Sequence, residues 1–506
     1  MSVGAARLDL VGRRRLTLAG RAAALALVAA GGIALRVWLD RSALGIPNAD
    51  EATVGLMALH ALHGHLTTFI WGQAYGGSQE ALLTAPLVAL LGASWLALRL
   101  VPAALAAVAA VLVWRVGLRT IDRRAAAVAA ALLWLWPPFL LNHLGHGYGF
   151  YATGLVDCAL LLLLALRLVE RPTRARAAVL GLVAGLAFWQ TSQIVPILVP
   201  VALWVAWRRP AALRHLWLAV AAFALGALPW LAFNLRHGFA SLHLQDTGSS
   251  YAHRLRQLFS PLLAELLGLR TPWSAKLLLP HLLTLALYAL LLVAFLGGAY
   301  RARRRATSLL YAVAALFPFV YALSPLTYVD SEPRYLLVAS PVLVLLVAQP
   351  AAGYRRGAAL LAVAAAVSVV TLQRMDAWAS VRHDGPAAPP RAFGPLIATL
   401  ERLRINRVYA DYWVAYRLDF ETRERIVAAN NRFRTARTRN GRVIPAPDPW
   451  RYPPYARAVA AAPRAGFVFL RPNIGLARIV PDLARAGYRR YAVGDFIVYA
   501  PPASLR

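Results

Sequence analysis

Long apolar segments recur along most of this 506-residue chain, and they constrain its fold more than any other feature. A helix needs about 20 apolar residues to cross a bilayer. Runs close to that length cover residues 16–39, 95–116, 125–142, 150–169, 176–192, 193–207, 214–235, 277–299, 306–323, 334–350 and 357–373. We therefore predict an all-α polytopic membrane protein with about 11 transmembrane helices, and an apolar share of 59% excludes an ordinary soluble enzyme.

Arginines mark every second connection between the apolar runs. They lie at residues 13–15 and in the segments "RVGLRTIDRR", "RLVERPTRAR", "WRRPAALRH", "YRARRR" and "GYRR". The positive-inside rule places these connections and the N-terminus in the cytoplasm. The first run lacks a small-residue cleavage site, so we expect an uncleaved first helix.

All of these arginine-rich connections lie on the cytoplasmic side only if residues 78–94 do not cross the membrane. Their apolar part of about 15 residues reaches roughly 22 Å, which is short of a hydrocarbon core about 30 Å thick. We expect a helix that lies at the outer interface.

The outer side then holds an early acidic pair, "NHLGHGYGFY", the loop 236–276, "SPLTYVDSEPRY" and the tail. The loop 236–276 is basic, but placing it inside would break the other assignments.

The formal charge of +32 indicates topology more than it indicates a partner. It comes almost wholly from arginine, since Lys276 is the only lysine, and arginines that flank apolar spans face anionic lipid head groups. We expect membrane lipid as a partner and no nucleic acid. Cys158 is the only cysteine, so an internal disulfide is excluded.

The composition changes near residue 374, which divides the chain into a transmembrane domain, 1–373, and a C-terminal domain, 374–506. Proline-rich segments punctuate the second part. Strand-like runs "RVYAD", "ERIVAA", "GFVFL" and "DFIVYA" alternate with the helical patterns "GPLIATLERL" and "IVPDLARAGY". We predict a small extracytoplasmic α/β domain.

The acidic pair Asp50 and Glu51 follows the first apolar run directly. One interpretation is structural, with Asp50 as the N-cap of the next helix and Glu51 in its first turn. The other is catalytic: a carboxylate at the lipid–water boundary can take a proton from an acceptor hydroxyl. Such a base also needs an electrophile whose leaving group is held by cations.

The order of several segments resembles the GT-C membrane glycosyltransferases, in the branch of the protein mannosyltransferases and aminoarabinose transferases. These segments are the first span, "NADEATVGLMALHALHGH", "YGGSQEALLTAPLVALLGASWLALRLVPAALAAV" and "EPRYLLVASPVLVLLV". The resemblance covers roughly residues 10–370. It implies inverting transfer of a hexose or pentose from a polyprenyl-phosphate donor to an acceptor hydroxyl on the outer face of the membrane. The acceptor, whether glycan, lipid or protein, stays open.

The resemblance also implies roles for individual residues. Asp50 would be the general base, Glu51 would assist, and Arg334 with Tyr335 would hold the donor phosphate. The chain departs from the aminoarabinose transferases by lacking their lysine next to Glu80, so other cations must contribute. Candidate cations are Arg99, Arg254, Arg256, Arg270 and Lys276, and candidates for substrate binding are Glu80, His143, His146, Asp330 and Glu332.

No cofactor is required by this chemistry, although a divalent metal ion is possible. Asp50, His60 and His63 are weak candidates for its ligands, and no dense metal motif occurs. The aromatic residues of the tail could stack on sugar rings or pack the domain core; they are Tyr412, Trp413, Tyr416, Trp450 and Tyr452.

Two other functions stay open. A transporter or flippase for a lipid-linked or anionic substrate would use the same carboxylates and arginines, although no internal repeat is obvious and no P-loop occurs. A scaffold that presents the tail would leave the acidic pair without a chemical task.

Overall fold

The computed structural model describes residues 3–243, 248–325, 332–381, 389–439, 442–448 and 451–504. Asp330 and Trp450 lie outside these ranges. Up to Ala379 the described chain is helical, and after it helices alternate with short strands. The predicted class, a helical membrane protein with a C-terminal α/β part, is confirmed.

The helical part contains seventeen α-helices in the described residues. They are α1 (Val3–Arg41), α2 (Ala49–Leu62), α3 (Gln79–Leu91), α4 (Trp95–Thr120), α5 (Arg123–Leu135), α6 (Pro138–His143), α7 (Tyr151–Glu170), α8 (Arg174–Gln190), α9 (Val195–Arg208), α10 (Leu216–Gly226), α11 (Leu228–Arg236), α12 (Tyr251–Gln257), α13 (Leu263–Leu267), α14 (His281–Ala302), α15 (Ser308–Leu323), α16 (Ser340–Val347) and α17 (Tyr354–Ala379).

Each of the eleven apolar runs lies on one or two of these helices, but the count of about eleven spans is not confirmed. Among the described residues, five helices are long and apolar enough to cross a membrane, and a pair bent by 117° makes a sixth if it is one broken span. Proline explains part of the difference, because it removes a backbone donor and interrupts a helix. The run 125–142, for example, is divided into α5 and α6 at Pro137.

The segment predicted to lie at the interface forms the short helix α3. Its 13 residues end at Leu91, and the next residue, Gly92, has a positive φ of 73° that favours glycine. At 1.5 Å per residue this helix is about 20 Å long. Its length agrees with the prediction that it does not span.

The C-terminal part contains two sheets with helices packed against the larger one. Its elements are α18 (Gly394–Arg402), β1 (Arg407–Ala410), α19 (Tyr412–Glu421), β2 (Val427–Asn430), β3 (Ala436–Arg439), β4 (Arg442–Pro445), α20 (Pro453–Ala461), β5 (Gly466–Leu470), α21 (Val480–Arg485), β6 (Arg489–Val493) and β7 (Phe496–Ala500). The larger sheet has the order β2-β1-β5-β7-β6; β2, β1 and β5 are parallel, and β7 is antiparallel to both of its neighbours.

The four predicted strands correspond to β1, β2, β5 and β7, which are mostly buried. The sequence did not indicate β6, because this strand is largely exposed and begins with two arginines. A strand at the edge of a sheet needs little apolar surface, so it has no apolar run to mark it.

The last apolar helix, α17, extends past the predicted boundary at residue 373 to Ala379. Its final turns pack against the segment that follows α1. Asp376 accepts a hydrogen bond of 2.7 Å from the N–H of Ala43, and Met375 is fully buried. Tertiary contacts therefore continue this helix through a sequence that becomes polar.

The C-terminal part packs directly on α2, and one apolar cluster contains residues of both. Gly55 of α2 allows this close approach, because a Cβ atom there would lie 2.5 Å from the ring of Phe420 in α19. Beside it, the buried Arg417 donates hydrogen bonds to the carbonyls of Pro47 and Pro390, at 3.3 and 2.7 Å. The C-terminal part is thus fixed over the first turn of α2.

Candidate active site

The acidic pair lies at the start of α2, and Asn48 caps this helix. The Asn48 side chain accepts hydrogen bonds from the N–H groups of Asp50 and Glu51, at 3.0 and 3.1 Å. The interpretation of Asp50 as the N-cap is therefore wrong. Both carboxylates lie in the first turn, where the helix dipole stabilises negative charge.

Glu51 is completely buried and has several hydrogen-bond donors around its carboxylate. Arg99 of α4 binds it through two nitrogens at 2.9 and 3.0 Å, His146 approaches to 3.2 Å, and the N–H of Gly147 to 3.4 Å. Burial raises the pKa of Glu51, but Arg99 and His146 outweigh it and lower the pKa to about 2. Glu51 is therefore a fixed anion that does not take up a proton near neutral pH.

The guanidinium of Arg99 is engaged on both sides. Besides Glu51 it contacts the carboxylate of Asp40 and donates to the carbonyl of Gly45 at 3.1 Å. Its charge is thus balanced by two carboxylates within the protein. Arg99, which the sequence indicated as a candidate for phosphate binding, is thus paired with Glu51 of the acidic pair.

Asp50 differs from its neighbour because it is more than a third exposed. Its Oδ1 accepts a hydrogen bond of 2.6 Å from Arg451 and another from the hydroxyl of Tyr412. Both donors belong to the C-terminal part, one before α20 and the other in the first turn of α19. Of the two acids, Asp50 is the one that a substrate can reach.

A line of rings leads from the acidic pair to Arg334, and it is formed by the segment 143–151. The hydroxyl of Tyr148 accepts a hydrogen bond of 2.8 Å from Asn48, and its ring lies 4.8 Å from His143. His143 in turn meets Tyr151 edge-on at 4.4 Å, and the Tyr151 hydroxyl pairs with Arg334. Glycines at 145, 147 and 149 let this segment turn tightly, and Gly149 has a φ of 104°.

Arg334 begins the short helical segment Arg334–Ala339 before α16. Its Nη2 lies 3.3 Å from the carboxylate of Glu332, and its buried Nε has no hydrogen-bond partner in the described residues. Tyr335 lies beside it, with the guanidinium 5.9 Å from the ring centre. The third candidate of this segment, Asp330, lies outside the described residues.

Two of the predicted substrate-binding residues, His143 of α6 and Glu80 of α3, are buried polar groups. The Nε2 of His143 and the Oε2 of Glu80 have no hydrogen-bond partner among the described residues. Glu80 faces the backbone N–H groups of Gly149 and Thr153. Burial, together with the nearby Arg334 and His146, lowers the pKa of His143 well below its ordinary value, so its ring is neutral. Buried polar groups in proteins are usually paired, so both atoms point to a ligand or water.

The remaining candidate cations have other partners or are exposed. Arg254 donates to the carbonyl of Ala322 at 2.8 Å, Arg256 faces His253, and Arg270 lies 3.5 Å from the buried Glu265. Lys276 is exposed before α14. In the described chain none of the four has a side-chain contact with Asp50 or Arg334.

The weak metal candidates do not come together. His60 binds Glu424 at 2.9 Å, and His63 bonds to the carbonyl of Leu59. Ten residues along one helix separate His60 from Asp50 by about 15 Å, which is too far for one ion. The described residues contain no group of three metal-binding side chains, so Asp50, His60 and His63 do not fit a metal ion in this arrangement.

The aromatic residues of the tail divide between core and surface. Tyr416 is buried, Tyr452 stacks on Trp71 with ring centres 3.9 Å apart, and Trp413 is exposed. Nothing in the sequence indicated Arg451, and Tyr412 was indicated only for stacking on sugar rings or for core packing. No sequence pattern marks either as a partner of Asp50, because almost the whole chain lies between them.

We predict that Glu51→Gln destabilises the protein strongly, since it leaves the buried Arg99 without half of its counter-charge. Breaking a buried ion pair costs about 3–5 kcal/mol, so the thermal unfolding midpoint of the purified protein in detergent should fall by several degrees. The difference from wild type should persist above about pH 5 and shrink as the pH falls toward 2, because the stabilisation requires the charged carboxylate.

The matched control is Glu401→Gln, which removes an exposed ion pair with Arg425. Such pairs contribute about 0–1 kcal/mol, so this variant should unfold close to wild type. Equal midpoints for the two variants would contradict the anchoring role of Glu51.

Comparison with known proteins shows similarity in structure. No family model matches the sequence, and no curated protein matches it. The crystal structure of ArnT from Cupriavidus metallidurans bound to undecaprenyl phosphate matches with a TM-score of 0.59 at 15% identity, covering 95% of this chain and 98% of that one. The apo structure of the same protein matches with the same TM-score and covers 96% and 99%.

An oligosaccharyltransferase from Archaeoglobus fulgidus, solved with Zn and sulfate, matches at a TM-score of 0.48 and 15% identity, over 95% of this chain and 74% of its own. The ArnT match extends over both the helical part and the C-terminal α/β part. It confirms the resemblance inferred from the sequence, and the chain has the fold of the GT-C membrane glycosyltransferases.

Proposed function

We propose that this protein transfers a sugar from a polyprenyl-phosphate donor to an acceptor hydroxyl, with inversion at the anomeric carbon. The observation that carries the proposal is a chain of contacts between the partly exposed acid Asp50 and the guanidinium of Arg334. It runs from the backbone N–H of Asp50 through the Asn48 side chain and the rings of Tyr148, His143 and Tyr151. A base and a phosphate-binding cation are the two groups that this reaction needs. The fold supports the proposal, since the similar ArnT was solved with undecaprenyl phosphate.

The proposed reaction is a single displacement. The acceptor oxygen attacks the anomeric carbon while Asp50 takes the hydroxyl proton, a new carbon–oxygen bond forms, and the bond to the donor phosphate breaks. The departing polyprenyl phosphate takes up the negative charge. Because attack and departure occur on opposite faces of the sugar, the configuration inverts.

The two acids of the pair would have different tasks. Glu51 is saturated by Arg99, His146 and Gly147, so it holds the start of α2 in place and stays charged. Asp50 retains exposure and is the group that exchanges a proton. Glu51 thus assists by positioning and by its fixed charge.

The donor phosphate would bind at Arg334. A guanidinium can bind two phosphate oxygens at once, and the Nε of Arg334 is free of partners in the described residues. The Glu332 pair would exchange for the phosphate when the donor enters. His143, neutral and with an unpaired Nε2, can donate or accept a hydrogen bond beside it.

We predict that Asp50→Asn lowers the turnover number at least about a hundredfold, because the amide cannot accept the proton. The measurement is an in vitro transfer assay with a panel of polyprenyl-phosphate sugars and purified protein. Asp495→Asn, at an exposed position of the C-terminal part, is the matched control and should retain wild-type turnover. A near-normal rate for Asp50→Asn would remove the base from the mechanism. Lipid movement across vesicles without any sugar transfer would favour the transport alternative.

We predict that Arg334→Ala raises the KM for the donor at least about tenfold, the loss of roughly 1.4 kcal/mol of phosphate binding. Binding of undecaprenyl phosphate, followed by tryptophan fluorescence, should weaken in parallel. Arg355→Ala, an exposed arginine in the first turn of α17, serves as the control. An unchanged donor KM would assign the phosphate to another cation.

The reaction would take place on the outer face of the cytoplasmic membrane, with the N-terminus inside. The alternating arginine connections support this orientation.

The only native cysteine, Cys158, is buried, so single introduced cysteines can report the topology. We predict that Gly475→Cys, in the C-terminal part, reacts with a membrane-impermeant maleimide in intact spheroplasts. Arg304→Cys, after α14, should react only after permeabilisation, and the opposite result would invert the topology.

A further inference from the structure

The base proposed above is covered by two side chains from a part of the protein in which the sequence shows no catalytic signature. Arg451 and Tyr412 both bind the same oxygen of Asp50, its Oδ1. In the described part of the chain no hydrogen-bond donor reaches Oδ2. The contacts therefore divide the carboxylate into a held oxygen and an available one.

Arg451 is held in place independently of Asp50. Its N–H donates to the hydroxyl of Tyr416 at 2.9 Å, and its Cα packs on Gly72, where a Cβ atom would lie at 2.5 Å. The next residue, Tyr452, stacks on Trp71. Two contacts thus fix the backbone of this stretch against the loop before α3, and neither of them involves Asp50.

Four elements contribute the charged and titratable groups around Asp50. They are Glu51 on its own helix, Tyr148 from the segment 143–151, Tyr412 of α19, and Arg451. Burial raises the pKa of Tyr412, and the charge of Asp50 raises it further, so this hydroxyl stays protonated and donates. Arg451 is the one cation with a contact to Asp50 in the described chain, at 2.6 Å.

We propose that Arg451 and Tyr412 are positioning residues that hold the Asp50 carboxylate by Oδ1 and leave Oδ2 for the acceptor hydroxyl. The C-terminal part would then complete the active site of the proposed transferase. Before the reaction, Arg451 and Tyr412 fix the orientation of the carboxylate. During the reaction, the acceptor proton moves to Oδ2 while the two contacts on Oδ1 fix its direction. This inference rests on the proposed function of Asp50.

The test compares Arg451→Gln, Arg451→Lys and Tyr412→Phe with the control Arg464→Gln, an exposed arginine of the same domain. For each full-length variant we would measure the turnover number, the donor KM and the thermal unfolding midpoint. We expect Arg451→Gln to lower turnover about 10- to 100-fold with little change in donor KM, since a misplaced base slows the chemical step.

Arg451→Lys keeps a cationic donor near Oδ1, so its turnover should recover in part at an unchanged donor KM. Tyr412→Phe removes one of the two contacts and should lower turnover less than Arg451→Gln. Unchanged turnover in Arg451→Gln, or an equal loss in Arg451→Lys with a lower unfolding midpoint in both, would show a merely structural contact. A higher turnover would show an inhibitory contact. Either result would overturn the proposal.

A second measurement does not depend on sugar transfer. Carbodiimides modify carboxyl groups that they can reach, so peptide mass spectrometry can follow the labelling of Asp50. We expect Arg451→Gln to increase this labelling several-fold over wild type and Arg464→Gln, because Oδ1 is then less covered. If no donor supports transfer but the labelling changes as expected, the proposed reaction fails while the control of Asp50 by Arg451 stands. Unchanged labelling would overturn that control.

Discussion

The ion pair between Arg99 and Glu51 is the interaction on which the rest of the site depends. Burying two charges costs several kcal/mol for each ion, and only close geometry with further hydrogen bonds offsets it. Here Arg99 also contacts Asp40 and Gly45, and His146 also reaches the carbonyl of Leu44 at 2.8 Å. The end of α1, the start of α2, α4 and the segment 143–151 therefore meet at one buried carboxylate.

This arrangement explains why two adjacent acids can differ so much. A step of one residue along a helix turns the side chain by about 100°, so Glu51 faces the protein interior while Asp50 faces the C-terminal part. The contacts that hold Glu51 therefore also orient Asp50, without involving the Asp50 carboxylate. The rings of Tyr148, His143 and Tyr151 connect the cap of this helix, Asn48, with Arg334. An acid and a cation from distant parts of the sequence thus lie at the two ends of one chain of contacts.

The helices and the main strands were predictable because burial leaves a regular trace in the sequence. Apolar runs mark helices that lipid or other helices surround, and β1, β2, β5 and β7 are apolar because both faces are covered. The extent of α17, the division into α5 and α6, and the edge strand β6 were not predictable in this way. They depend on tertiary contacts, on proline, and on a strand that needs no burial.

The sequence by itself determined that this is a helical membrane protein with a C-terminal α/β part, and it indicated Asp50, Glu51 and Arg334. Local composition and order contain that information. Only the tertiary structure decided that Asn48 caps α2, that Arg99 binds Glu51, and that Arg451 binds Asp50. Arg99 and Glu51, and Arg451 and Asp50, are far apart in the chain, and a single sequence contains no periodic or local signal for such contacts. The cap is a local contact, but Asn48 and Asp50 are both residue types that cap helices, so only the observed hydrogen bonds distinguish them.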